Sequence, residues 1–292
     1  MSLYWQDKGR NLNIYCGDSR DILKSLPEKN FQCCITSPPY WSHRSYHNDK
    51  QIGLEDDMFE YISTLVGIFD DVYWVMRDDS TVWVNIGETW LGGGKAGNNP
   101  EYHKKHTVFG KSGGDSATFG KRMPIPKGLK ARDMAGIPWR FAFAMQEKGW
   151  YLRDAIIWNK NMSSMPLSIT NRTVTNFEYI FMFTKIGSGY YYDVDAIRNE
   201  SGSTKRSVWD VGTARSKNKH KASYPVELIV PCVLAGCPVR RCEACGTPYH
   251  RVVYTGNSEH HAPPSWQNPG LSHRNKNSEG WDGYGQFKNT RK

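Results

Sequence analysis

The sequence predicts an α/β fold built on a parallel sheet, on the strength of two apolar runs of strand length and the helical spacing between them. Residues 31–35 are bulky and apolar enough for a strand covered on both faces, and the run stops abruptly at Thr36-Ser37-Pro38-Pro39-Tyr40-Trp41. Residues 59–76 place apolar side chains at helical spacing, and 80–86 form the next apolar run. Strand, helix and strand in that order make the βαβ unit of an open sheet.

The remaining elements follow in chain order. Residues 12–16 form a short apolar run closed by Gly17-Asp18, after which Asp18 or Ser19 caps a helix over 20–26 that Pro27 ends. From 91 to 132 the composition shifts to glycine, lysine, arginine and histidine with little apolar periodicity. So long a segment is either a solvated insertion or a functional loop that orders on a partner. A helical pattern resumes at 138–145 with proline in its first turn, and 152–158 and 179–184 read as two further strands. Tyr190-Tyr191-Tyr192 are expected to finish a strand and pack, and Cys33 and Cys34 to be small core residues. A helix over 226–235 leads to Cys237 and Cys242-Glu243-Ala244-Cys245, and beyond Thr255 no core-forming pattern is present.

A formal net charge of +9 favours a polyanionic partner, because neutralised phosphates release counterions. No apolar run approaches the length of a bilayer span, and the first residues carry neither a basic nor an apolar signal region, so a cytoplasmic protein is expected. Seven cysteines, an odd number, do not read as a disulfide framework; reduced thiols or a metal site fit better.

The chemistry concentrates after residue 35, at the carboxyl end of a strand, where open α/β sheets place their ligands. Two consecutive prolines lack N–H donors and fix φ, so the turn is rigid and its carbonyls are left free to accept hydrogen bonds. Ser37, which precedes a proline, is held extended. Such a turn suits an exocyclic amino group, whose lone pair is delocalised into its ring until its protons are bound. Ser37 Oγ and the Pro38 carbonyl can each take one N–H and aim the lone pair at an incoming methyl group, with Tyr40 as a stacking surface.

Ser37-Pro38-Pro39-Tyr40 resembles the catalytic signature of the DNA amino-methyltransferases, and Gly17-Asp18 resembles the acidic motif that precedes it. The segments 82–88, 136–140, 149–153 and 178–181 are similar, in the same order, to the family's downstream blocks, and 207–209 with 220–225 to the approach to its late helix. The resemblance covers about residues 12–236. It implies a Rossmann-like, S-adenosylmethionine-dependent fold acting on double-stranded DNA, whose target base leaves the duplex stack. Ser37, Pro38, Pro39 and Tyr40 become the expected catalytic residues, and Asp18, Thr36 and Pro225 the expected cofactor side. Serine rather than an acidic or amide residue at the first motif position favours cytosine N4 over adenine N6.

The block order is similar to that of the permuted class, in which a glycine-rich cofactor loop follows the late helix. Nothing after Pro225 reads as a strand followed by Asp-Pro-Phe-x-Gly-x-Gly. The fold is therefore expected to be incomplete at its C-terminus, with a second chain or segment supplying that motif. The rival reading is a non-catalytic DNA-binding subunit. Cys242 and Cys245, with Gly246 after them, resemble half of a zinc ribbon and offer zinc two thiolates; unpaired thiols are the alternative. The division expected is a catalytic domain over 1–236, with a DNA-contacting basic insertion at 91–132, and a partial zinc-ribbon-like tail over 237–292. His43 and His47 can either touch a phosphate or stand idle at the surface.

Overall fold

A computed structural model describes residues 2–9, 12–43, 48, 50–91, 125–161, 171–214 and 223–253. The chain divides into two units, Met1–Arg251 and Val252–Lys292, and the architecture below belongs to the first.

The main sheet has five strands: β3 (Phe31–Thr36), β4 (Met76–Ile86), β5 (Tyr151–Asn159), β6 (Phe177–Thr184) and β7 (Val208–Asp210). Their spatial order is β3-β4-β6-β5-β7. β3 and β4 run parallel, as the βαβ reading requires, with Ile35 opposite Trp83 and Thr36 opposite Val84. β6 is antiparallel to both β4 and β5, so the sheet is mixed rather than wholly parallel. β7, a segment not read as a strand, closes the far side parallel to β5. β2 (Leu12–Cys16) does not join this sheet; it pairs antiparallel with β1 (Ser2–Asp7), an element absent from the sequence reading. Leu3, Tyr4, Trp5, Leu12 and Ile14 stay exposed there, so the hairpin lacks the two covered faces a central strand needs.

Alternation along β4 sends Val82, Val84 and Ile86 to one face and Thr81, Trp83 and Asn85 to the other. The first face is covered by α2 (Met58–Val75) and α3 (Ile137–Glu147), the helices that follow α1 (Ser19–Ser25). α2 begins where the Asp57 carboxylate accepts from the Phe59 amide at 3.1 Å, and it buries Tyr61, Ile62, Leu65, Phe69 and Val72 at helical spacing. Trp139, Phe141, Phe181 and Phe183 pack edge to face between α3 and β6. The second face is covered by α4 (Val226–Gly236), whose Leu228, Cys232 and Ala235 meet Trp83, Ile180 and Met182. Gly236 closes that contact, because a Cβ there would stand 2.4 Å from Thr81 Oγ1.

β4 begins four residues earlier than the apolar run suggested. The ladder shifts register between Phe31 and Cys33, so Arg77, Asp78 and Asp79 stay in an extended strand without matching β3 residue for residue. Lys29 and Lys185 hold Asp78, and Arg77 holds Asp79. Tyr190, Tyr191 and Tyr192 lie beyond the end of β6 rather than finishing it; they pack as expected, with Tyr191 buried.

Candidate active site

The carboxyl ends of β3, β4, β5 and β7 and the amino end of β6 share one edge of the sheet, and residues 36–43 lie along it. Tyr61 of α2 donates its hydroxyl to the Pro39 carbonyl at 2.8 Å. That corrects the expectation that the proline carbonyls all stay free: Pro39 is spent on anchoring the turn. Trp41 is fully buried, with its indole N–H on the Glu55 carbonyl at 2.8 Å, and the Ser42 amide donates to Gly53 at 2.7 Å. Gly53 has φ +96°, and a Cβ would stand 2.9 Å from the Tyr40 carbonyl oxygen, so this crossing requires glycine. Ser37 alone in the Ser-Pro-Pro-Tyr turn is exposed.

Tyr40 points back into the sheet edge. Its hydroxyl lies 2.7 Å from Glu178 Oε2 and 3.1 Å from Asn85 Oδ1, and it accepts from Ser37 Oγ at 3.4 Å. Asn85 donates its amide to Glu178 Oε2 and to the Tyr179 carbonyl, each at 3.1 Å. Lys160 pairs with the other oxygen of Glu178. Strand register makes this cluster: Glu178 lies opposite Trp158 in β5 and adjoins the Ile86–Tyr179 pair of β4 and β6. Burial, then the neighbouring Glu178 charge, pushes the Tyr40 phenol well above its usual pKa, so it is a protonated donor. Gly87 backs the ring; a Cβ there would stand 2.5 Å from Tyr40 Cε2.

A second carboxylate, Glu88, accepts the amides of Thr89, Gly136 and Ile137 at 2.8, 2.9 and 3.3 Å. It caps α3, whose N-cap glycine has no side chain to do so. Beside it, Leu91 exchanges hydrogen bonds with Arg132 and Asp133, so the chain leaves for the basic insertion and returns at one point.

The sequence model of the DNA methylase family matches residues 31–240. The chain belongs to the DNA amino-methyltransferases. The Type II methyltransferase M.Cfr9I of Citrobacter freundii is 42% identical over 76% of this chain and 71% of its own length. M.SmaI of Serratia marcescens is 40% identical over 78% of this chain and 76% of its own. Among solved structures, the PvuII DNA methyltransferase (cytosine-N4-specific) superposes with a TM-score of 0.53 at 16% identity, over 77% of this chain and 70% of that one, a likeness of fold. The family is one of S-adenosylmethionine-dependent methyltransferases of restriction-modification systems.

Within this methyltransferase the other expected site residues are scattered. Thr36 ends β3 beside the Ser-Pro-Pro-Tyr turn, and Pro225 precedes the first turn of α4 on the sheet's second face. Asp18 caps α1, and its carboxylate is taken by Arg20, which holds its pKa down at about 2. Cys242 and Cys245 share a turn closed by the Gly246 amide on the Cys242 carbonyl at 2.8 Å. Arg77 and Arg241 hold the Gly246 carbonyl against the sheet. Among the described residues no group of three metal-ligating side chains converges. His43 packs edge-on to Tyr40, whereas His47 and residues 92–124 lie outside the described residues. No described helix is long and apolar enough to cross a membrane.

Lys160 and Tyr61 had no role in the sequence reading, and Glu178 entered it only as the first residue of the segment 178–181. One signal was present: Glu178 is a carboxylate at the head of an otherwise apolar strand, flanked by Phe177 and Tyr179.

Proposed function

We propose that this methyltransferase methylates cytosine at N4 in double-stranded DNA, with Ser37 and the Pro38 carbonyl as acceptors for the amino group and Tyr40 as the ring beside it. The observation that carries the reading is an exposed Ser37 hydroxyl tied to a protonated Tyr40 phenol on a turn anchored from beneath by Tyr61. Two acceptors on one nitrogen draw it out of conjugation and point its lone pair away from them. Serine, with one hydroxyl, supports cytosine N4; adenine N6 is the other outcome.

The cofactor, when bound, supplies an electrophilic methyl group. The described residues fit it only in part: Asp18 is engaged by Arg20, and the strand-to-helix turn that holds it, between β2 and α1, has the single glycine Gly17 rather than the glycine-rich run that lets a backbone cradle a nucleotide. The described residues therefore contribute on the base side. The basic segment 91–132 is assigned to phosphate contact, which gives affinity rather than base chemistry.

The test is methyl transfer to duplex DNA followed by nucleoside analysis. N4-methylcytosine is expected, and N6-methyladenine would reverse the base assignment. Ser37→Ala and Tyr40→Ala should abolish transfer and leave DNA affinity within about twofold, since affinity comes mainly from phosphates. Wild-type turnover in either variant would remove the catalytic assignment.

A further inference from the structure

We propose that Glu178 is a positioning residue that sets the direction of hydrogen bonding through Tyr40 and Ser37, and so makes the pocket accept an amino group rather than a carbonyl oxygen. The inference rests on the proposed role of Ser37 as acceptor and adds the reason it can only accept.

Asn85 gives its two amide hydrogens to Glu178 Oε2 and to the Tyr179 carbonyl, so its Oδ1 faces Tyr40 as an acceptor. Glu178 Oε2, on a carboxylate whose other oxygen pairs with Lys160, is likewise an acceptor. The Tyr40 hydroxyl thus meets acceptors at 2.7 and 3.1 Å on its inner side, and its single hydrogen is committed there. Ser37 can bond to Tyr40 only by donating its own hydrogen to the phenol oxygen. What the exposed side of Ser37 then offers is lone pairs. An N–H of an amino group is satisfied by them, whereas a base carbonyl at the same place would meet an acceptor and lose its hydrogen bonds to water without replacement.

Glu178 is 16% exposed at its side chain and Lys160 25%, so neither is a freely solvated charge that water would stand in for. In Glu178→Gln, Lys160 keeps the amide oxygen and the amide nitrogen turns to Tyr40. Asn85, which gave a hydrogen to that position, then meets a donor and turns its own oxygen to it, which brings its amide nitrogen to Tyr40. Donors then occupy the inner side, the phenol hydrogen is released toward Ser37, and Ser37 is free to donate outward.

The measurement is binding of the full chain, at neutral pH, to equal-length single-stranded homopolymers of deoxycytidine and deoxyuridine. These carry the same phosphates and differ at position 4 in amino against carbonyl. The wild type is expected to prefer deoxycytidine by about tenfold, the worth of one good hydrogen bond. Glu178→Gln and Tyr40→Phe should each bring the ratio close to one, and the double variant should go no further, because both act on the same chain. Glu178→Asp, which keeps an acceptor, should recover part of the preference. A Glu178→Gln or Tyr40→Phe protein that melts like the wild type and keeps the full preference overturns the proposal and leaves Ser37 as acceptor untouched. A wild type without any preference sinks the amino-group reading itself.

Discussion

Glu88 and Glu178 stand at the same end of the sheet, both half-buried and both accepting several hydrogen bonds, yet their partners divide them. Glu88 meets backbone amides, that of Thr89 and two at the start of α3. Glu178 meets a phenol, a carboxamide and an ammonium group. Backbone amides have one fixed polarity, so Glu88 can hold a helix and the mouth of an insertion but cannot pass a preference onward. A hydroxyl can donate or accept, so the carboxylate beside Tyr40 selects among arrangements that differ in what Ser37 shows to solvent. A carboxylate on backbone stabilises; a carboxylate on rotatable hydroxyls specifies.

The largest expected break in that comparison is Glu88→Ala. It leaves two amides at the head of α3 and that of Thr89 without their acceptor and should cost about 2–3 kcal/mol in denaturant unfolding. The deoxycytidine-to-deoxyuridine ratio should be unchanged. A stable variant with altered base preference would show that the two carboxylates are not separable in this way.

Gly87→Ala comes next, because Gly87 follows the end of β4, adjoins Glu88 in sequence and backs the Tyr40 ring that Glu178 holds. The new methyl would stand 2.5 Å from Tyr40 Cε2 and 2.9 Å from Cδ2, distances that force the ring to shift. Overpacking of this kind costs about 1–3 kcal/mol. The shift also carries the hydroxyl away from Glu178, so methyl transfer should fall much further than stability. Activity close to wild type would mean that Tyr40 tolerates displacement and that its bond to Glu178 is incidental.

How much of this was legible beforehand depends on how far apart in sequence the partners lie. The Ser-Pro-Pro-Tyr turn could be read because its rigidity is local: two prolines fix φ wherever they occur. α2 and the βαβ unit could be read because periodicity is local as well. Tyr40 meets Glu178 across 138 positions of sequence, through the register of β4 against β6, and no local pattern reports register. The same reason hid β7, three residues whose strand character comes from pairing with β5. The opening of β4 was missed because Arg77, Asp78 and Asp79 read as a break, when Lys29 and Lys185 compensate the charges from distant elements. The proline carbonyls looked equivalent in sequence; only the packing of Tyr61 shows that Pro39 is engaged.

Asp18 gives the smallest expected effect and sharpens the comparison from outside it, as a carboxylate with good hydrogen bonds at the surface. Its Oδ1 accepts from the Arg20 amide and side chain at 2.9 Å, and mainly through the side chain these bonds lower its pKa to about 2. An unfolded aspartate titrates near 3.9, so between about pH 4 and 2 the unfolded chain binds more protons than the folded one. Stability contributed by Asp18 is therefore complete above pH 4 and is lost as pH falls through 2. A third of the Asp18 side chain and slightly more of Arg20 is exposed, so solvent screening holds the contribution below about 1 kcal/mol. Asp18→Asn keeps an oxygen to cap α1 and removes only the charge. Melted in a series from pH 7 downward, the variant should start slightly less stable than the wild type and converge with it near pH 2, and added salt should shrink the gap at neutral pH. A gap that does not change with pH would mean that Asp18 acts purely as a helix cap. A gap as large as that of Glu88→Ala would mean that exposure does not separate surface carboxylates from those at the sheet edge.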